Sequence, residues 1–355
     1  MQNFQPNWCS PPGATIQNLA NKNSLSSDEL MAILELEPEN FKSLLNGFSK
    51  LTSNIAERLE QTFGVSKSFW LNREENYFQS LEHQANECES WFEELPISDL
   101  VNRGYLTKRA TKPHRIAECL AFFDSKAIDE WESIYKSRVE NVAFRTSSSF
   151  DSSPLAVTTW LRLAELSCSH QHVQEFNKEL LIEKIDKIKS LSRIKEPSAF
   201  LGELELILNS CGVKIAVVKA VKGCKASGAT FYQDGTPIVA LSFRHLSDDH
   251  FWFTLLHELG HVILHSHTQV FIEGTGSNPY TQELEKEANE FAMSALVPAC
   301  KQNYLFSLRA KDYAKIMRLA KQLDISPGII VGQLQHKGYI PHSHLNKLKV
   351  KYKWG

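Results

Sequence analysis

The sequence has few cysteines, and their placement excludes several classes of protein. Seven cysteines are scattered over 355 residues, and no two of them form a C-x-x-C pair. This spacing argues against a disulfide framework and against a cysteine-based metal site. No long apolar run is free of charges, and the N-terminus has no basic start followed by an apolar stretch. We therefore expect no transmembrane helix and no secretory signal, and we expect a cytoplasmic location.

An excess of one charge is also absent. The chain has 39 basic and 41 acidic residues, which gives a formal net charge of −2. The chain as a whole therefore has no general attraction for nucleic acid or for acidic membranes. Its 42% hydrophobic content is ordinary for a globular protein, and its length allows two or three folded units.

Residues 1–80 carry the start and stop signals of several short helices. Ser26 and Glu29 have the spacing of a capping box. Pro38 suits the first turn of a following helix, and Asn46-Gly47 is a typical end for that helix. Short helices joined by tight turns indicate a helix-turn-helix unit.

The recognition helix of this unit would begin at Pro38. Its surroundings disfavour DNA, because residues 1–80 contain six basic and nine acidic side chains. Phosphate contacts depend on lysine and arginine. Protein docking or dimerisation is therefore an alternative to operator binding. The side chains predicted to face DNA are Asn40, Lys42 and Ser43.

The remainder of the chain predicts a helical connector followed by an α+β domain. Residues 81–154 have mixed helical signals and end in the serine-rich segment TSSSFDSSP, which we interpret as a linker. Asp234-Gly235 separates GATFYQ from PIVALSF and predicts a hairpin. PIVALSF is either an ordinary core strand or a sheet edge that binds a peptide by strand addition. The expected fold is mainly α with a small β-sheet (α+β), divided into residues 1–80, 81–154 and 155–355.

The stretch FWFTLLHELGHVILH, residues 251–265, contains an H-E-x-x-H pattern. Residues four apart share one face of a helix, so His257 and His261 can reach a single ion. Glu258 stands beside the first histidine, where it can act as the base that activates water. The pattern predicts a catalytic Zn²⁺ site.

A catalytic zinc usually has three protein ligands, so one more is expected downstream. We favour Glu285, in the segment TQELEKEANEFAMSALVP, because Asn289 shares its helix face and could hold a ligand in position. The alternative ligands are Glu283, Glu287, His265 and His267. Candidates for stabilising the oxyanion are Tyr280, His336 and Tyr339.

The C-terminal segment LNKLKVKYKWG alternates lysines with apolar residues. This alternation favours an edge strand whose lysines prevent further strand pairing. The alternative is a basic, aromatic strip that contacts nucleic acid.

These motifs together resemble the ImmA/IrrE metallopeptidases in the form that begins with a HigA-type antitoxin helix-turn-helix. The N-terminal resemblance lies in SLLNGFSKLTSNIAERLEQTFGVSKSFWLNREENY. The C-terminal resemblance lies in FWFTLLHELGHVILH, ELEKEANEFAMSALVP and DISPGIIVGQLQHKGYI. It implies that His257, His261 and Glu285 hold zinc and that Glu258 is the general base.

The resemblance also implies a substrate. Such an enzyme would be an endopeptidase that cleaves a regulatory protein, such as a repressor or antitoxin-like partner, in a stress or mobile-element response. The alternative is a non-enzymatic antitoxin or transcriptional regulator that binds operator DNA or a cognate toxin. A homodimer is plausible for either function, since helix-turn-helix units commonly pair on two half-sites.

Overall fold

A computed structural model describes residues 10–47, 49–87, 89–125, 127–135, 153–265, 271–272 and 279–353. The chain divides into two compact units, Met1–Ser137 and Arg138–Gly355. Within the described ranges, no helix is long and apolar enough to cross a membrane.

The regular secondary structure in the described residues of the N-terminal unit is all helical. Helical residues 128–135 (α9) complete it. The eight helices before them are α1 (Pro12–Lys22), α2 (Ser27–Leu34), α3 (Pro38–Leu45), α4 (Ser53–Phe63), α5 (Lys67–Glu87), α6 (Glu89–Glu94), α7 (Ile97–Asn102) and α8 (Lys112–Phe122).

Local capping explains where the first helices begin and end. The Ser26 hydroxyl accepts a hydrogen bond from the Glu29 amide, and the Glu29 carboxylate accepts one from the Ser26 amide at 2.8 Å. This is the predicted capping box. Pro38 occupies the first turn of α3, as predicted. Gly47 follows α3 with a φ of 76°, a conformation that residues with a side chain rarely adopt.

One hydrophobic cluster of the N-terminal unit lies among α1–α5. Trp70 on α5 and Leu59 on α4 are both fully buried there. Arg58 on α4 also fastens the end of α2, since its guanidinium donates to the Ile33 carbonyl at 3.1 Å and pairs with Glu35 at 2.5 Å. The three-residue connection between α2 and α3 is thereby fixed on α4.

The C-terminal unit places helices around a small sheet. Pro154 begins its first helix, while residues 146–152 of the predicted linker lie outside the described residues. The helices are α10 (Pro154–Ser167), α11 (Lys178–Ser190), α12 (Pro197–Ser210), α13 (Asp248–Leu264), α14 (Pro279–Leu296), α15 (Ala299–Ser307), α16 (Tyr313–Leu323) and α17 (Pro327–His336). The strands are β1 (Lys214–Val217), β2 (Gly228–Gln233), β3 (Thr236–Leu241) and β4 (Phe271–Ile272).

The sheet has the strand order β1-β3-β2-β4. The β2–β3 hairpin turns at Asp234 and Gly235, whose φ values of 50° and 79° fit the predicted Asp-Gly turn. β3 pairs with β1 in parallel and with β2 in antiparallel orientation. Of the two alternatives for PIVALSF, the peptide-binding sheet edge was therefore wrong, because strands of the same chain occupy both sides of β3.

The C-terminal segment does not form the predicted edge strand. Residues Asn346–Leu348 make a short 3₁₀ turn, and a single antiparallel bridge joins Lys351 to Ser247. Tyr352 is buried, and its hydroxyl accepts a hydrogen bond from the Trp252 indole at 2.9 Å. Apolar burial against α13 thus holds this segment instead of strand pairing. The mainly helical α+β fold expected from the sequence is confirmed.

Candidate metal centre

Helix α13 is the central element of the C-terminal unit. It packs against β2 and β3 on one side and against α14 and α17 on others. Leu255, Leu256 and Leu259 are fully buried in the main hydrophobic core. That core holds the backbone of α13, while His257, Glu258 and His261 on the same helix are also buried.

A close approach between α13 and α14 determines where the acidic helix lies. A Cβ added at Gly260 would come within 3.1 Å of the Phe291 ring and 3.3 Å of the Ala288 Cα. Two small residues, Gly260 and Ala288, thus bring the helix backbones together. This contact brings Glu285, one turn before Ala288, to the two histidines of α13.

Three predicted ligands converge at this contact. The Nε2 atoms of His257 and His261 lie 3.1 Å apart. The Glu285 carboxylate lies 3.3 Å from His257 Nε2 and 3.5 Å from His261 Nε2. Among the described residues, these three form a group whose ligand atoms are near enough to share one metal ion.

The spacing of these atoms fits an ion of the size of zinc. Zinc bonds of about 2.0–2.1 Å in a tetrahedron place neighbouring ligand atoms about 3.3–3.4 Å apart. The separations of 3.1, 3.3 and 3.5 Å bracket that value. Two imidazoles and one carboxylate are also the ligand chemistry of many catalytic zinc sites.

Burial and hydrogen bonding keep these groups in the protonation states that a metal requires. Burial is the main cause that lowers the pKa of His261 to about 4, which keeps its imidazole neutral. Burial would raise the pKa of Glu285, but hydrogen bonds from His257 and His261 outweigh it and lower that pKa to about 2. Neutral imidazoles and an ionised carboxylate are the forms that bind metal ions.

The Asn289 side chain contacts His257 at Nδ1, the ring nitrogen that does not face the other ligands. Its Oδ1 lies 3.1 Å from His257 Nδ1. When Nδ1 carries the proton and donates to Asn289, the Nε2 lone pair faces the ligand group. Asn289 was expected to hold a metal ligand in position, and the ligand that it contacts is His257.

Two alternative ligands lie elsewhere and contact each other. His265 Nε2 is 3.1 Å from the Glu287 carboxylate, and His265 Nδ1 is 2.8 Å from His261 Nδ1. His265 therefore sits behind His261, away from its Nε2. Glu283 is exposed, and His267 lies outside the described residues.

Glu258 faces the sheet and is fully buried. The Thr230 hydroxyl on β2 donates to Glu258 Oε2 at 2.7 Å. A Cβ added at Gly228 would come within 2.5 Å of Glu258 Oε1, so a glycine is needed where β2 passes the carboxylate. Sequence reasoning missed both residues. The available signal was a lone threonine and a glycine in an otherwise apolar strand.

A cleft of about 830 Å³ opens at His257 and Glu285. It extends between α14 and α17, and His336 is among its lining residues. Tyr339 is not, since its ring stacks on Phe306 with centroids 5.2 Å apart. The side chain of Tyr280 lies outside the described part of the chain. Of the oxyanion candidates whose side chains are described, His336 is the one that lines the cleft.

The predicted DNA contacts lie in the N-terminal unit. Asn40 and Lys42 on α3 are exposed, and Ser43 is partly buried. All three are on the helix that follows the three-residue turn after α2.

Comparison with known proteins identifies part of the C-terminal unit. No curated protein sequence and no solved structure matches the chain. Residues 213–334 match the family model of the IrrE N-terminal-like domain, Peptidase_M78. That range includes the sheet strands β1–β3, the H-E-x-x-H helix and α14. Residues 213–334 of the C-terminal unit are therefore similar to a peptidase domain of the IrrE N-terminal-like family.

Proposed function

We propose that this protein is a zinc-dependent endopeptidase that cleaves a regulatory protein. The observation that carries the proposal is the convergence of His257, His261 and Glu285 at 3.1–3.5 Å beside the buried carboxylate of Glu258. The match of residues 213–334 to a peptidase family supports it. The resemblance to ImmA/IrrE proteins suggests that the substrate is a repressor or antitoxin-like protein.

The chain's own residues then have distinct tasks. A bound zinc ion would polarise a peptide carbonyl and lower the pKa of a water molecule. Thr230 fixes the Glu258 carboxylate through Oε2, at 2.7 Å. We assign to Glu258 Oε1 the acceptance of the proton from water and its transfer to the leaving amine. The apolar packing around α13 excludes bulk water and strengthens these interactions.

The cleft supports a peptide substrate. Its volume of about 830 Å³ is at the upper end of ordinary ligand pockets, which suits several residues of an extended chain. His336 lines it, and we propose that this side chain donates a hydrogen bond to the oxyanion.

Replacing Glu258 with glutamine tests the proposed reaction. The amide keeps the size and the hydrogen bond from Thr230 but cannot accept the proton, so cleavage should fall about 10²–10⁴-fold. Zinc content should stay near one per chain, because Glu258 is not among the three ligands. Wild-type and E258Q proteins, both loaded with zinc, would be incubated with host lysate, and newly formed protein N-termini quantified. Equal numbers of new N-termini in both reactions would refute the role of Glu258.

We propose a second function for the N-terminal unit, as an antitoxin-like helix-turn-helix. The supporting observation is the arrangement of α2, a three-residue turn fixed by Arg58, and α3 with Asn40 and Lys42 exposed. Such a unit would bind operator DNA as a homodimer or hold a cognate toxin. The acidic residues of this unit oppose DNA binding, which makes the test informative.

Binding to the DNA upstream of the chain's own gene tests this function. Fluorescence anisotropy should detect binding at low salt, and Lys42→Glu should weaken it at least tenfold. Lys22→Glu is the matched control, because Lys22 is an exposed lysine at the end of α1. If both variants bind as the wild type does, α3 is not the recognition helix. Co-purification with the small product of a neighbouring gene would favour the toxin-binding alternative.

A further inference from the structure

The geometry points to His265 and Glu287 as positioning residues for the metal ligand His261: we propose that they form a hydrogen-bonded chain that presents the Nε2 lone pair of His261 to zinc. This inference rests on the proposed zinc site. It goes beyond that site, because neither residue belongs to the group of three ligands.

The hydrogen-bond roles along this chain are determined by its contacts. His261 Nε2 faces His257 Nε2 at 3.1 Å and the Glu285 carboxylate at 3.5 Å. For that nitrogen to bind a metal, the ring proton must reside on Nδ1. His261 Nδ1 then donates to His265 Nδ1, which lies 2.8 Å away.

The same logic continues to Glu287. Because His265 Nδ1 accepts, its proton resides on Nε2, and Nε2 donates to the Glu287 carboxylate at 3.1 Å. Each ring nitrogen thus has one role, and every donor faces an acceptor. A carboxylate behind a histidine makes the ligand nitrogen more basic and fixes the ring orientation.

Burial makes this arrangement different from a surface contact. The His265 side chain is 3% exposed and His261 is 1% exposed, whereas the Glu287 side chain is 51% exposed. The chain of hydrogen bonds thus begins at the surface and ends at a ligand in the interior. If His261 did not carry its proton on Nδ1, the facing Nδ1 atoms of His261 and His265 would lose their hydrogen bond in the protein interior. This cost strengthens the preference for one tautomer.

The two histidine ligands are supported differently. His257 Nδ1 contacts the amide oxygen of Asn289, a neutral acceptor. His261 is supported by a second imidazole and, through it, by a carboxylate. We therefore expect the ring of His261 to be the more firmly oriented of the two ligands.

Zinc affinity of the full-length chain, measured by competition with a chromophoric chelator, tests the proposal. His265→Phe keeps the ring shape but removes both hydrogen bonds, and it should weaken zinc binding about 10–100-fold. His265→Gln offers an acceptor and a donor in the same order and should restore affinity to within about threefold. Glu287→Ala should have a smaller effect than His265→Phe. Glu283→Ala, an exposed carboxylate on the same helix, is the control for lost charge and should have no effect.

The ring nitrogen signals of ¹⁵N-labelled histidine provide a readout that a purely structural role would not change. In zinc-loaded wild type, the Nδ1 proton of His261 should show the downfield chemical shift of a hydrogen-bonded N–H, and this shift should be lost in His265→Phe. An unchanged Nδ1–H shift and an unchanged zinc affinity in His265→Phe, with zinc bound normally by the wild type, would overturn the inference alone. A wild type that binds no zinc would overturn the proposed function and the inference with it.

Discussion

The two units of this protein use their polar residues in different ways. In the N-terminal unit, the interior around Trp70 is apolar, and polar side chains satisfy helix ends either locally, as Ser26 and Glu29 do, or from another helix, as Arg58 does. In the C-terminal unit, two histidines and a glutamate are buried on α13 beside its hydrophobic core. Burying such groups is costly unless each finds a partner. The partners come from β2 and α14, far away in sequence.

The helix cap of the N-terminal unit and the metal site of the C-terminal unit exemplify short-range and long-range determinants of structure. The capping box of α2 spans three residues, whereas Glu285 reaches His257 across 28 residues and Thr230 reaches Glu258 across the same separation. Damage to a helix cap should remain local. Damage to the α13–α14 contact should disturb the metal site.

The largest expected effect is the loss of metal from the C-terminal unit. His257→Ala removes one of three ligands, so zinc content should fall from about one per chain to none. Asn40→Ala changes an exposed residue of the N-terminal unit and should leave zinc content unchanged. Elemental analysis of the purified proteins measures both. Equal zinc in the two variants would place the metal elsewhere.

A buried carboxylate predicts a pH dependence of stability in the C-terminal unit. Burial, reinforced by nearby Asp249, raises the pKa of Asp248 from 3.8 to about 6, although hydrogen bonds from Ser326 and Val350 oppose this. The Asp248 carboxyl therefore stays protonated to a higher pH in the folded state than in the unfolded state. The free energy of unfolding of the wild type should fall as the pH rises from about 4 to 6.

Asp248→Asn should abolish the pH dependence of stability that arises from Asp248, while the amide oxygen still accepts the hydrogen bond from the Val350 amide. The variant should therefore gain stability relative to wild type across pH 4–6, by at most about 3 kcal/mol. Melting temperatures of both proteins at each pH provide the test. A difference that is constant with pH would show that Asp248 ionises normally.

The helix contact at Gly260 is not expected to tolerate a larger side chain. Gly260→Leu would force a side chain against Phe291 and Ala288, costing about 1–3 kcal/mol and weakening zinc binding. Gly202→Leu is the matched control, since Gly202 also lies in a helix but a Cβ there meets nothing within 4 Å. The control should be neutral or stabilising by up to about 1 kcal/mol. Denaturant unfolding and zinc titration measure the two effects.

The smallest effect should come from the N-terminal capping box. Ser26→Ala removes the acceptor for the Glu29 amide and should cost about 1 kcal/mol. Hydrogen exchange of the Glu29 amide should accelerate, with zinc affinity unchanged. An altered zinc affinity would instead show that the two units are energetically coupled.

Sequence patterns predicted the features that depend on neighbouring residues. The α2 cap, the first turn of α3 and the Asp234-Gly235 hairpin were all expected, because their signals lie within a few positions. The central position of β3 and the existence of β4 were not, since strand order depends on pairing between distant segments.

The candidate site shows the same limit. The spacing of His257 and His261 placed both on one helix face, and Glu285 was favoured among several acidic residues. The contact of Thr230 with Glu258 was missed, as was the pairing of His265 with Glu287. Both contacts form where one secondary-structure element packs on another. Local periodicity in the sequence does not predict that packing.

The attachment of the C-terminal segment to α13 has a consequence for the timing of synthesis. Val350 and Asp248 exchange hydrogen bonds, Lys349 pairs with Asp249 at 2.6 Å, and Tyr352 receives a bond from Trp252. The N-terminal end of the metal-binding helix is therefore secured only after residues 349–352 have left the ribosome. A prematurely terminated chain would contain the H-E-x-x-H residues but would lack the contacts of residues 349–352 with α13. Only chains translated through residue 352 could therefore form the fully supported metal site.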